Sequence, residues 1–341
     1  MAKSTSVSPM PRLYRRLGGI GLTKKYVREQ VLPSWWDDAA ASNPAAYSEV
    51  LMLLSRHLGL DLASLRDDSA DPKFAGDVRC KFMKRRDSSD DDVEVTRAIA
   101  TQVATLAAVA APAGEVPTQA ASQIREQILS SGARWVDLES LVDFAWWIGI
   151  PVLHVSAFPP RTRKMHGLAA RVQGRPTIVI CLDRAQSGWL LFILAHELGH
   201  IMLGHVQDSE ILVDEVVDPD SGEPDEIAAN AFALELLTGR ADARVTAEGR
   251  WPNATALSAR AQEIGRAHHV DPGHVILNYA HSMGREFFPV ANAALKLYEP
   301  DADAPAMIRR KLNERLDWSN LPGDTSEYVA RITRAADATP S

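Results

Sequence analysis

The segment His196-Glu197-Leu198-Gly199-His200 puts two imidazoles four residues apart with a carboxylate between them. On an α-helix, residues four apart project from one face, so both histidines can reach a single ion. Zinc suits such nitrogens. It lowers the pKa of a water it holds to about 7, and Glu197 can take that water's proton as it attacks a carbonyl. The chemistry implied is hydrolysis of a peptide bond. A chance string is the alternative, and its setting argues against it. The motif follows the apolar run Leu190-Leu191-Phe192-Ile193-Leu194-Ala195, where two histidines and a glutamate are costly unless a ligand satisfies them.

A catalytic zinc needs a third protein ligand and an open fourth position. Glycine and histidine three and six residues after His200 would supply one known arrangement, but those positions are Leu203 and Val206. If the helix continued, His205 would lie about 180° around from His196, so it is read as a cap for carbonyls at the helix end. Carboxylates crowd between Asp208 and Glu235. Most fall in Asp214 to Glu223, a loop by its Pro219, Asp220, Ser221 and Gly222. Glu226 opens the helical run that ends at Leu237 and is the favoured third ligand; the alternative is an ordinary first-turn glutamate favoured by the helix dipole. Small residues at 228, 229 and 233 allow close packing on the motif helix, and Asn230, one turn after Glu226, can orient a ligand. Candidate donors to an oxyanion are Tyr279, His274, His281 and His166, among which the sequence does not choose.

The elements that must position these groups follow from periodicity. Val50, Leu51, Leu54 and Leu58 recur at helical spacing until Gly59, and a short helix follows at Leu62 to Leu65. The charged stretch Asp67 to Asp92 reads as a solvated linker. Helices are expected over Val93 to Ala111, Gln119 to Leu129 and Leu138 to Ile148. Strands are expected at Pro151 to Val155, Gly167 to Val172 and Thr177 to Leu182, the last two joined as an antiparallel hairpin through Gln173-Gly174-Arg175-Pro176. Trp189 to Leu203 is the motif helix, and Asp225 onward is nearly all helical, with breaks at Pro252, Pro272-Gly273 and Pro289. Trp135, Trp146, Trp147 and Trp189 read as core.

Composition sets outer bounds. With 341 residues, 46% of them hydrophobic, the chain can bury more than one core. A net charge of -7 argues against a basic coat for nonspecific nucleic-acid binding. Cys80 and Cys181 form no CxxC pair, so neither a disulfide framework nor a thiolate zinc site is supported. No stretch reaches the roughly 20 apolar residues that span a bilayer, and the N-terminus lacks the apolar core of a signal peptide. A cytoplasmic location is expected. Residues 1–16 are basic and expected to be disordered. Residues 17–115 form a helical region, 118–250 the metal-binding core and 251–341 a C-terminal helical region.

Several pieces together resemble the ImmA/IrrE-type metallopeptidases. They are Ile148-Gly149-Ile150-Pro151-Val152, the strand Ile178-Val179-Ile180, Phe192 to His200 with Leu203-Gly204-His205, and Glu226-x-x-Ala229-Asn230-x-Phe232-Ala233-x-x-Leu236-Leu237. The resemblance covers about residues 130 to 280. It implies an α+β, zincin-like core with a small, mostly antiparallel sheet and the HExxH helix, flanked by helical regions. It further implies Zn2+ held by His196, His200 and Glu226, Glu197 as general base, and a helix-turn-helix repressor as protein substrate. Ala228 stands where an acid is common in that family. Leu257 to Ser282 looks like the helix-turn-helix-like element that often follows the peptidase motifs. Tyr47 to Leu65 is similar to the closing helices of small repressor-type DNA-binding domains. The preceding residues show no clear recognition helix, so a degenerate, protein-binding domain is favoured over direct DNA binding. The competing reading of the whole chain is a non-catalytic transcription regulator or antitoxin-like protein that uses the peptidase fold for recognition.

Overall fold

The computed structural model describes residues 8–75, 79–83, 91–112, 116–160, 162, 165–207, 210–214, 222–246 and 253–335. In chain order the regular elements are α1 (Met10–Gly19), α2 (Lys24–Tyr26), α3 (Pro44–Leu58), α4 (Leu62–Arg66), β1 (Arg79–Met83), α5 (Asp91–Ala110), α6 (Ala121–Ser130), α7 (Leu138–Trp147), β2 (Val152–His154), β3 (Gly167–Val172), β4 (Arg175–Ile180), α8 (Ser187–Met202), β5 (Glu210–Asp214), α9 (Pro224–Thr238), α10 (Ala254–His268), α11 (Pro272–Met283), α12 (Phe288–Tyr298), α13 (Ala304–Arg315) and α14 (Gly323–Ile332).

Local chemistry explains many of the boundaries. Asn43 accepts a hydrogen bond from Ala45 N at the start of α3, Pro44 fills its first position, and Gly59 closes it in the left-handed conformation at φ 68°. Gln173 and Gly174, both with positive φ, make the two-residue turn between β3 and β4.

The α+β class holds, and the sheet differs from the mostly antiparallel one expected. Its order is β1-β5-β3-β4-β2. The β5/β3 and β3/β4 pairs are antiparallel, while β1/β5 and β4/β2 are parallel, so the sheet is evenly mixed. Strands β3, β4 and β2 form a mixed three-stranded unit within it. Residues 176–180 of β4 are buried without alternation, as expected of a strand covered on both faces. Helices α8 and α5 both pack on β3 and β4.

Three further expectations are corrected. Residues 10–16, read as part of a disordered tail, lie in α1; Arg16 is buried and donates to the carbonyls of Ser64, Leu65 and Ala70. Residues 1–7 of that tail lie outside the described residues. Within the supposed linker, residues 79–83 form β1, which extends the sheet through β5, a strand not anticipated at all; the charged run at 84–90 and the loop at 215–221 are outside the described residues. Trp147, assigned to the core, is 72% exposed.

A buried apolar cluster runs from Met10 through the sheet to Ala335. The N-terminal helices thus share a core with α13 and α14, and Arg331 donates to Leu32 O at 2.7 Å. A second cluster, from α10, α11 and α12, meets the first at Trp189. Helices α10 and α11 are joined by a short turn, as a helix-turn-helix would be. Residues 272–280 of α11 are all buried, however, which leaves that stretch no exposed face to enter a groove. No helix among the described residues is long and apolar enough to cross a membrane.

Candidate metal centre

Helix α8 carries the motif through the interior. Its N-terminus has no side-chain cap of its own; Glu299, just past α12, accepts from Ser187 N at 2.9 Å and from the Ser187 hydroxyl, placing a carboxylate at the positive end of the helix dipole. One residue on, Gly188 meets α11 backbone to backbone. A Cβ there would lie 2.9 Å from the Gly273 carbonyl carbon. At the other end of the motif, a Cβ on Gly199 would stand 3.3 Å from Ala229 O, so α9 packs close to the helix, as its small residues suggest.

That packing delivers Glu226 to the two histidines. His196 Nε2 and His200 Nε2 are 3.0 Å apart; Glu226 Oε2 is 3.4 Å from the first and Glu226 Oε1 3.1 Å from the second. All three residues are buried, and their ligand atoms converge as a group able to hold a metal ion. Burial alone pushes the Glu226 carboxyl pKa up, but the facing His196 and His200 rings lower it by more, so the group is held below its usual value. It is a carboxylate across the physiological range.

The outer ring nitrogens are also engaged. His196 Nδ1 lies 3.0 Å from Asn230 Oδ1, an acceptor, so Nδ1 carries the proton and Nε2 presents its lone pair to the centre. This is the orienting role expected of Asn230. His200 Nδ1 lies 2.9 Å from His205 Nδ1, and His205 Nε2 is 3.8 Å from Asp225 Oδ1. His205 was expected to cap carbonyls; its ring meets His200 instead, because α8 ends at Met202 and Gly204, at φ 75°, turns the chain back. Asn230→Ala is expected to weaken metal binding roughly 10- to 100-fold without unfolding the chain. Competition against a chromophoric chelator measures this, and unchanged affinity would mean that packing alone orients the His196 ring.

Glu197 is fully buried beside the centre, held against β3. A Cβ at Gly167 would collide with Glu197 Oε1 and stand 2.9 Å from Ile193 Cγ2, so glycine at the start of β3 makes room for the carboxylate. Nothing in the sequence marks that role, since one glycine opening a strand carries no distinguishing signal. Of the four candidate oxyanion donors, His166, His274 and His281 line one cavity beside the centre. Tyr279 is packed edge-on against Phe287. Burial and the Glu197 charge raise the Cys181 thiol pKa well above its usual range.

Residues 151–270 match the family model Peptidase_M78, described as the IrrE N-terminal-like domain. This stretch is therefore a domain of that peptidase family, and it lies within the 130 to 280 span of the resemblance. No curated protein and no solved structure matches the chain.

Proposed function

We propose that this chain is a zinc-dependent endopeptidase that cuts a protein regulator of the helix-turn-helix repressor class. The observation that carries the catalytic part is the meeting of His196, His200 and Glu226 beside the buried Glu197. The substrate class rests on the family resemblance.

The donor set fits zinc. Ligand atoms about 2.0–2.1 Å from a tetrahedral ion are ~3.3 Å apart, close to the observed 3.0, 3.1 and 3.4 Å. Two neutral imidazoles and one carboxylate are an established catalytic ligand set that leaves one position open. When bound, zinc supplies Lewis acidity towards the scissile carbonyl and acidifies a water to a pKa of about 7. The chain's own residues do the rest. Glu197 accepts the proton of the attacking water and returns it to the departing amide nitrogen. Asn230 and His205 hold the rings so that both Nε2 atoms face inward. The apolar surroundings of α8 keep bulk water from competing for the same contacts.

The test is purification with metal analysis, followed by co-expression with any helix-turn-helix repressor found encoded beside this gene. About one zinc per chain, with discrete repressor fragments that vanish under chelation and return with zinc, is the expected result. An intact repressor beside zinc-loaded protein would overturn the substrate assignment. A chain that takes up no zinc would overturn the whole reading.

A further inference from the structure

A cavity of about 530 Å³ opens next to the metal centre. Its wall on α8 is formed by Phe192 and Ile193, each one helical turn before His196 and Glu197 respectively. Asn230, which holds the His196 ring, lines it from α9, and His166, which precedes Gly167, borders it from the sheet. The cavity thus abuts the site through these neighbours, one helical turn from His196 and Glu197 and against the residue that holds the His196 ring. Trp189, Leu234, Leu277 and Phe288 make much of the remaining wall apolar.

Two further features mark it as built to hold something. Asn278 Oδ1 accepts from Val245 N at 2.7 Å and its Nδ2 donates to Ala243 O at 3.1 Å, so α11 fixes the loop that forms one wall. His274 also lines the cavity. Its ring stacks on Phe192 at 6.0 Å between centroids, is only 3% exposed, and both nitrogens lack a hydrogen-bond partner among the described residues. A buried imidazole left unpaired is destabilising where packing is the only purpose, whereas a bound polypeptide can bring it a polar partner.

We infer that this cavity is the specificity subsite for the residue flanking the scissile bond, and that it selects a large apolar or aromatic side chain. The inference rests on the metallopeptidase reading. Its volume exceeds that of any single side chain, and it lies one turn along α8 from the centre, within reach of the adjacent residue of a bound peptide. Small or charged side chains leave the apolar wall wet or pay for desolvation, so discrimination comes mainly from buried apolar area.

The test uses the zinc-loaded full chain and three peptidyl hydroxamates that differ only in one side chain, alanyl, leucyl or phenylalanyl, with affinities measured by calorimetry. The phenylalanyl compound is expected to bind roughly 10- to 100-fold more tightly than the alanyl one, the ratio that burial of one such side chain supplies. Ala231→Trp on α9 and, from the α11 wall, Ser282→Trp are both half-buried at the cavity and should fold normally. Each is expected to remove the gain while the alanyl compound keeps its affinity. Equal binding across the series, or a gain unaffected by both tryptophans, overturns the subsite and leaves the metal centre standing. Failure of every hydroxamate to bind the zinc-loaded chain overturns the catalytic, open-position reading of the metal centre, and the subsite with it.

Discussion

Under the proposed peptidase reading, Glu197→Gln is expected to keep about one zinc per chain and to lower cleavage of the proposed repressor substrate by a factor of roughly 100 to 10,000, the range that a positioned general base contributes. Glutamine fills the same space, so the tight fit against Gly167 and Ile193 is preserved. The metal should also stay, because Glu197 is not among the three converging ligands. What the amide cannot do is accept a proton. Single-turnover cleavage followed by gel densitometry, with metal content measured on the same sample, separates the two effects. Activity within tenfold of the parent would assign the proton to another group. Loss of zinc together with activity would make Glu197 a structural residue of the site. Gly167→Ala should approach the same phenotype by displacing the carboxylate, and it distinguishes the position of that group from its identity.

The parts of this site that the sequence made legible are those governed by local geometry. Helical periodicity puts His196 and His200 on one face, and the same rule places Asn230 one turn from Glu226. The β3/β4 hairpin is legible for a similar reason, since a Gln-Gly turn joins adjacent strands. Helix α3 ends where its glycine says it should.

What escaped depends on partners far away in the chain. β1 pairs in parallel with β5 across about 130 residues, and neither strand has a long apolar alternation to betray it. Because both parallel pairs lie outside the hairpin, a mixed sheet could not be told from an antiparallel one. The basic stretch in α1 looks like a tail until Arg16 finds carbonyls 48 to 54 residues downstream. His205 lies three residues past the end of α8 at Met202, where helical periodicity does not place it. Once Gly204 reverses the chain, 100° per residue no longer applies.

The last of these distant partners gives the largest stability effect. Arg125 on α6 is 9% exposed, and its guanidinium joins the C-terminal ends of two helices. Its Nη1 donates to Leu237 O at 2.7 Å and Leu236 O at 3.2 Å in the last turn of α9; its Nη2 donates to His269 O at 2.7 Å and His268 O at 3.4 Å at the end of α10. These carbonyls are the ones a helix leaves without internal partners, and they carry the negative end of its dipole. A planar fork with donors on two nitrogens can serve both ends at once, which a lysine ammonium cannot do with the same geometry. Arg125→Met retains much of the apolar stem and removes every donor. The expected cost is about 3–5 kcal/mol, from the two short charge-assisted bonds and the carbonyls left buried. At the usual unfolding entropy per residue, a chain of 341 residues loses roughly 4–7 °C in Tm. Arg125→Lys should recover part of that by charge alone. Because α9 also carries Glu226 and Asn230, the methionine variant should weaken metal binding at temperatures well below its own transition. Calorimetric scans with and without zinc test both expectations. A shift under 1 °C would mean that water already satisfies those carbonyls and that the α9 end is held by its apolar contacts.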